Sequence, residues 1–162
     1  MERKLELRDI AGYIPYGLFV SDDTEIRPVR ISVVNIENII DSCKCKPILR
    51  PVSDLYKTIV HNGKEIVPIV ECAKIALGND DWMCSEGGAA YVEHEGCDEY
   101  STGIRYDEDY DTFIYFDNET DDSSCPHLYR LFDYMNELKI DYRGLIDAGL
   151  AVSIYDVENP YK

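Results

Sequence analysis

Apolar residues follow two different spacings along this chain, and each spacing predicts a different kind of element. The clearest helical spacing begins after Pro68, where apolar residues recur every three or four positions until Gly78. Proline is favoured at the first position of a helix and glycine just beyond its end. The sequence therefore predicts a helix after Pro68 with an apolar face made of Ile69, Cys72, Ala73, Ala76 and Leu77.

Capping residues predict a second helix immediately before this one. Ser53 is a good N-cap, and Asn62-Gly63 is typical of a helix C-terminus because these residues tolerate the left-handed conformation. Residues 64–67 then form a short extended piece. Together these signals predict a helical scaffold at about residues 53–77.

Elsewhere apolar and polar residues alternate in short runs, which is the spacing of half-buried strands. Residues 17–20 and 26–34 are predicted to pair, and because Pro28 cannot donate a ladder hydrogen bond, the second strand is predicted to lie at a sheet edge or to carry a bulge. Residues 103–106 and 112–116 are predicted to pair across a turn. The segment after them, up to Ser124, is predicted to be a polar loop.

The C-terminal third predicts a second helical scaffold at residues 126–148, with Ser124 and Asp141 as N-caps, followed by a strand at residues 150–155. No linker divides the chain, and 162 residues is a usual size for one domain. We therefore predict a single α+β domain over residues 1–162, with short antiparallel strands and a few short helices.

Charge is concentrated in one part of the chain. The net charge is −16, and residues 93–124, called here the acidic segment, hold twelve acids and one base. Tyrosine and phenylalanine interleave with these acids, whereas chains that stay unfolded usually lack aromatic residues. We therefore predict that the acidic segment is a Tyr-rich strand region. A strongly acidic face repels phosphate, which argues against direct nucleic-acid binding and against contact with anionic membranes.

Candidate metal and catalytic motifs are incomplete. The close cysteine and histidine pairs are Cys43-x-Cys45 and Cys125-x-His127, whereas structural zinc sites use C-x₂₋₄-C. Residues 107–111 begin like a calcium loop, but Thr112 stands in place of its glycine and Asn118 in place of its glutamate. No phosphate-binding loop or H-E-x-x-H motif is present. The sequence therefore assigns no catalytic residue, no cofactor and no metal.

The N-terminal residues lack the apolar core of a secretory signal, and no apolar run is long enough to span a bilayer. These features predict a cytoplasmic protein whose six cysteines are mostly reduced.

Four segments and the C-terminal ending carry a resemblance to a known family. They read LRDIAGYIPYGL at 7–18, KPILRPVSDL at 46–55, GKEIVPI at 63–69, DYRGLIDAGLA at 141–151 and NPYK at 159–162. These segments resemble uncharacterised proteins encoded by phages and prophages of Bacteroidetes. The resemblance implies a phage-derived protein in the cytoplasm of a bacterial host, and it implies no particular activity.

We interpret the chain as a non-enzymatic accessory protein that binds a host or phage protein. Tyrosine supplies a large ring with a polar tip, which suits contact surfaces, although many of the thirteen tyrosines could equally sit half-buried on strands. Two alternatives stay open: an acidic mimic of nucleic acid directed against host defence, and a small metal-dependent hydrolase using residues 93–111. The predicted partner-binding residues are Tyr106, Asp107, Glu108, Asp109, Tyr110 and Asp111.

Overall fold

The computed structural model describes residues 3–22, 27–32, 35–37, 40, 45–78, 80–85, 88–93, 101–117 and 120–161. The backbone divides into two compact units. Unit 1 contains Met1–Val52 and Met135–Lys162, and unit 2 contains Ser53–Tyr134.

Unit 1 is built on a four-stranded sheet in the order β11-β3-β1-β2. Strands β1 (Phe19–Asp22), β2 (Val29–Arg30) and β3 (Cys45–Leu49) are antiparallel, and β11 (Val152–Ser153) runs parallel to β3. Before the sheet lie a short helix, α1 (Leu7–Ile10), and a 3₁₀ turn at Ile14–Tyr16. One cluster of buried residues in unit 1 consists of Ile10, Tyr13, Leu18, Val20, Ile31, Leu49, Leu145 and Ala151.

Unit 2 is built on a five-stranded antiparallel sheet in the order β10-β9-β8-β7-β6. Its strands are β6 (Met83–Cys84), β7 (Ala89–Glu93), β8 (Ser101–Asp107), β9 (Thr112–Asp117) and β10 (Thr120–Ser124). Helix α2 (Pro68–Leu77) packs against β6, β7 and β8. A 3₁₀ turn at Val52–Tyr56 and a separate hairpin of β4 (Ile59–His61) and β5 (Lys64–Ile66) precede α2. A third helix, α3 (Leu128–Leu138), has its residues up to Tyr134 in unit 2 and the remainder in unit 1.

Several predictions from the apolar spacing are confirmed. The fold is α+β, with short, mostly antiparallel strands and a few helices. Helix α2 begins at Pro68, buries Ile69, Cys72, Ala73 and Ala76, and ends at Gly78, whose φ is 72°. The pairing of β1 with β2 and of β8 with β9 follows the predicted hairpins, and β2, which follows Pro28, is an edge strand. Whether the chain folds as one domain stays a prediction.

The predicted helix from Ser53 to Asn62 is wrong. Only one 3₁₀ turn forms there, and the chain then enters the β4–β5 hairpin. Asn62 and Gly63 have φ values of 50° and 74°, so they form the two-residue turn of that hairpin and not a helix end. A hairpin turn and a helix end both require positive φ at these residues. A two-residue Asn-Gly connection between short apolar runs favours the hairpin. The scaffold at 53–77 is therefore helical only in part.

Three further predictions are corrected near the C-terminus. Ser124 lies in β10, so the predicted loop before it is a strand from Thr120, and α3 begins only at Leu128. Residues 142–147 form turns and no regular helix, although the Asp141 carboxylate does accept hydrogen bonds from Leu145 N and Ile146 N, at 2.9 and 2.7 Å. The last strand, β11, is shorter than predicted. It runs parallel to β3 and pairs with Ile48 and Leu49.

Candidate partner-binding site

The predicted contact residues lie on one hairpin of unit 2. Strands β8 and β9 pair in register from Thr102 opposite Asp117 to Asp107 opposite Thr112. Residues 107–111, called here the acidic turn, connect them. The hairpin forms because β-branched and aromatic residues alternate along both strands, while the connection is polar.

A hydrogen-bonded Asp107 side chain sets the shape of the acidic turn. Its Oδ1 accepts from Asp109 N at 3.0 Å and from Tyr110 N at 3.2 Å. An aspartate that bonds to the backbone two residues onward stabilises a turn in the way a backbone carbonyl would. Asp111 completes the turn with φ of 47°, a conformation that aspartate tolerates better than most residues. The turn therefore has a defined conformation set by its own side chains.

The six predicted residues divide into an exposed group and a buried anchor. Glu108, Asp109, Tyr110 and Asp111 are exposed, Tyr110 to 78%, and Asp107 is half-buried. Tyr106 is only 6% exposed. A partner could therefore contact residues 107–111 directly, whereas Tyr106 supports them from within the unit.

An aromatic cluster holds the base of the hairpin. The Tyr106 ring packs edge-on against Phe113 at 5.2 Å between centroids, and Phe113 packs edge-on against Phe132 at 5.7 Å. Edge-to-face pairs at this separation are favourable beyond the apolar area that they bury. The Tyr56 hydroxyl also donates to the Tyr106 carbonyl at 3.3 Å. These contacts give the acidic turn a fixed platform.

Burial and neighbouring acidic residues raise the pKa of two tyrosine hydroxyls in unit 2. Burial raises the pKa of the Tyr56 hydroxyl, and the negative charge of Glu108 adds to this effect. Burial likewise raises the pKa of Tyr115, and the carboxylate of Asp117, 3.3 Å from its hydroxyl, raises it further. Both hydroxyls therefore stay protonated at neutral pH and remain hydrogen-bond donors near the acids.

Two of the described cysteines in unit 2 are buried. Cys72 and Cys125 are free and buried, and burial raises the pKa of both thiols, that of Cys125 to about 11. Within the described ranges, no three His, Cys, Asp or Glu side chains come together as a metal site would require. Cys43, His94 and Cys97 lie outside the described residues.

A small cleft of about 210 Å³ lies in unit 1. None of the described residues among 93–111, the segment that the hydrolase alternative would use, lines this cleft. The hydrolase alternative stays a prediction. The lining residues are Arg3, Lys4, Leu5, Ile40, Cys45, Lys46, Gly149 and Leu150.

Sequence reasoning missed a group of cationic and aromatic side chains in unit 1. Lys139 is buried, and its Nζ lies 5.7 Å from the Tyr16 ring centroid and 5.3 Å from the Tyr161 ring centroid. Arg50 is also buried, and its backbone N donates a hydrogen bond to the Lys139 carbonyl. These residues are far apart along the chain, so no spacing signal could have grouped them. Near the C-terminus, the Tyr161 ring packs edge-on against Phe19 at 5.4 Å between centroids.

Comparison of the chain with protein-family models, curated proteins and solved structures gives no match. Among the described residues, no helix is both long enough and apolar enough to cross a bilayer. Function is therefore inferred from the residues and their geometry.

Proposed function

We propose that this protein is a non-enzymatic accessory protein that binds a protein partner through its acidic turn. One observation carries the proposal: four acids and an exposed tyrosine are presented on a turn fixed by Asp107 and by a buried aromatic base. A preorganised turn loses little conformational entropy on binding. The expected partner is a protein with a basic surface patch, because complementary charge speeds encounter and excludes wrong partners.

The resemblance of residues 7–18, 46–55, 63–69 and 141–151 to proteins of Bacteroidetes phages and prophages supports the origin that we propose. The protein would then be phage- or prophage-encoded and would act in the cytoplasm of the bacterial host, on a host or phage protein. Lysate of a Bacteroidetes host is therefore the appropriate source in which to search for the partner.

The test is affinity capture from that lysate, with identification by mass spectrometry and measurement of binding to the purified partner. The informative variant is Glu108→Lys/Asp109→Lys, which reverses two exposed charges and keeps the Asp107 side chain that sets the turn. We expect this variant to weaken binding at least about tenfold, and we expect the affinity of the unmodified protein to fall with added salt.

Matched controls separate a local site from overall charge. Asp133→Lys/Asp156→Lys makes the same charge change at exposed positions outside the turn. Tyr110→Ala is matched by Tyr129→Ala, since both rings are exposed. Equal weakening in test and control variants, or no weakening in either, would contradict the proposal. Displacement of DNA from the captured protein would instead favour the nucleic-acid mimic.

A further inference from the structure

The cleft in unit 1, whose volume is about 210 Å³, has a lining of two chemical kinds. Four of its described lining residues have apolar side chains that pack against the buried cluster of unit 1, namely Leu5, Ile40, Cys45 and Leu150. The apolar part of the cleft is therefore continuous with the interior of the unit. Small-molecule sites in proteins are typically concave and mostly apolar, with a few polar groups that fix the orientation of the ligand.

The remaining side chains of the lining are basic. Among the described lining residues three are basic and none is acidic, the basic ones being Arg3, Lys4 and Lys46. This balance is opposite to that of the whole chain, whose net charge is −16. A cleft that combines apolar walls with charges of one sign concentrates the field of those charges and attracts the opposite charge. The lining therefore favours an anion.

Arg3 already has a counter-charge. Its Nη2 lies 2.6 Å from Asp9 Oδ1, and the other oxygen of that carboxylate, Oδ2, accepts from Glu6 N at 3.0 Å. Asp9 is only 4% exposed, so these bonds tie the residues before α1 to the body of unit 1. They hold in place the segment that brings Lys4 and Leu5 to the cleft.

Lys4 and Lys46 supply the positive charge that a ligand could meet. No carboxylate in the described part of the chain forms an ion pair with either ammonium group. Lys4 is exposed and Lys46 is half-buried. The planar fork of arginine suits phosphate oxygens, but that of Arg3 is committed to Asp9, whereas a carboxylate can accept from two separate ammonium groups.

The C-terminal part of the lining is held by backbone hydrogen bonds. Gly149 N donates to the Ile146 carbonyl at 2.9 Å, and Leu150 N donates to the Leu145 carbonyl at 2.8 Å. Gly149 is exposed, and a Cβ built on it would meet no atom within 4 Å, so the cleft is open to solvent at this residue. A site that is already formed loses little conformational entropy when it binds a ligand.

We propose that the unit 1 cleft binds a small organic monocarboxylate with an apolar body. The body contacts Leu5, Ile40 and Leu150, and the carboxylate accepts hydrogen bonds from the ammonium groups of Lys4 and Lys46. The cleft is smaller than the roughly 300–1,000 Å³ of sites for drug-sized molecules, so the ligand is a small one. This site belongs to unit 1 and the acidic turn belongs to unit 2, so the ligand is additional to the protein partner proposed above.

The test is calorimetric titration of the full chain with benzoate at pH 7 and constant ionic strength. We expect one saturable site with a Kd below about 1 mM. Acetate lacks the apolar body and benzamide lacks the charge, so each should bind at least about tenfold more weakly than benzoate. Hexanoate, titrated in the same way, compares an alkyl body with an aryl body.

Two variants test the cations separately. Lys4→Gln and Lys46→Gln each remove one ammonium group from the lining, and each should weaken benzoate binding about tenfold, because hydrogen bonds to charged groups are among the stronger ones. Lys64→Gln is the matched control, since Lys64 is an exposed lysine in β5 of unit 2 and does not line the cleft. It should leave the affinity for benzoate unchanged.

Cys45 reports where the ligand binds, because it is a free, half-buried thiol in the lining. Benzoate that fills most sites should slow the alkylation of Cys45 by iodoacetamide at least about threefold, as mapped by mass spectrometry. Cys84 is the internal control, because it is also free and half-buried but belongs to unit 2. Its rate of alkylation should not change.

The outcomes separate the kind of ligand from the existence of the site. Tighter binding of benzoate than of hexanoate would support an aryl carboxylate, and the reverse order would support an alkyl carboxylate. Phenyl phosphate binding more tightly than both would overturn the assignment to a carboxylate. Absence of saturable binding, equal affinities in Lys4→Gln, Lys46→Gln and Lys64→Gln, or equal protection of Cys45 and Cys84 would overturn the site itself.

Discussion

Lys139 makes the stability of the protein depend on pH in a direction opposite to that of an ion-paired lysine. Burial lowers its pKa from 10.5 to about 8. The folded state therefore disfavours the ammonium, and the penalty is fully present below pH 8. It disappears as pH rises from about 8 towards the unfolded value of 10.5, because both states then hold a neutral amine.

The size of the effect follows from the shift. A displacement of about 2.5 pKa units corresponds to about 3 kcal/mol against folding at pH 7. Roughly 2 kcal/mol of this should be recovered by pH 9.5. Lys139→Met has no such titration and keeps an unbranched side chain of similar length. The free energy of unfolding of the unmodified protein, minus that of the variant, should therefore rise by roughly 2 kcal/mol between pH 7 and pH 9.5.

Urea unfolding followed by circular dichroism, in phosphate-free buffers at several pH values, measures this difference. Lys74→Met is the control with the opposite sign. Lys74 Nζ contacts Glu71 Oε1 at 2.8 Å, and this hydrogen bond raises the pKa of Lys74. Its stabilising contribution is fully present below the unfolded pKa of 10.5 and is lost only above it, so the Lys74 difference should stay level between pH 7 and pH 9.5. A Lys139 difference that stays level, as the Lys74 difference should, or that falls with pH would refute the burial argument.

Three other substitutions or reactions test separate parts of unit 2. Phe113→Ala removes a 1% exposed ring that packs on both Tyr106 and Phe132, and urea titration should show a loss of about 3–5 kcal/mol; a loss below 1 kcal/mol would contradict the packing. In Gly63→Ala the added Cβ would meet no neighbouring atom, so the expected loss of about 1–2 kcal/mol in the free energy of unfolding comes from positive φ alone. An unchanged urea midpoint would argue against the hairpin turn. The Cys72 thiol should react with a thiol reagent only on unfolding, because burial raises its pKa; mass mapping of rapid native labelling at Cys72 would show otherwise.

The sequence predicted best the elements whose signals are local and agree with one another. Helix α2 has a proline start, a glycine end and an apolar stripe, and all three features appear in the structure. The Asn62-Gly63 pair shows the limit of such reasoning. Its required backbone conformation was recognised, but a helix end and a hairpin turn both satisfy that requirement. The pairing of β4 with β5 decides between them, and pairing involves residues on both sides of the turn.

The position and charge of the candidate site could be predicted from the sequence, but its buried support could not. The position of the acidic turn followed from alternating strands on either side, and the exposure of Glu108, Asp109 and Tyr110 followed from their polarity. The burial of Tyr106 did not follow from the sequence, because a tyrosine next to acids can point either way on a strand. The contacts of Lys139 with Tyr16 and Tyr161 depend on the tertiary fold alone, so they have no local signature.

The edge of the unit 2 sheet has a consequence for the behaviour of concentrated solutions. Strand β10 ends the sheet on one side and shifts register between Thr120 and Ser123. At the other side, β6 has only two residues. Irregular pairing and a very short strand both discourage growth of a sheet from one molecule to the next. Neither of these described edges therefore offers a long, regular row of backbone groups to which a neighbouring molecule could add a strand.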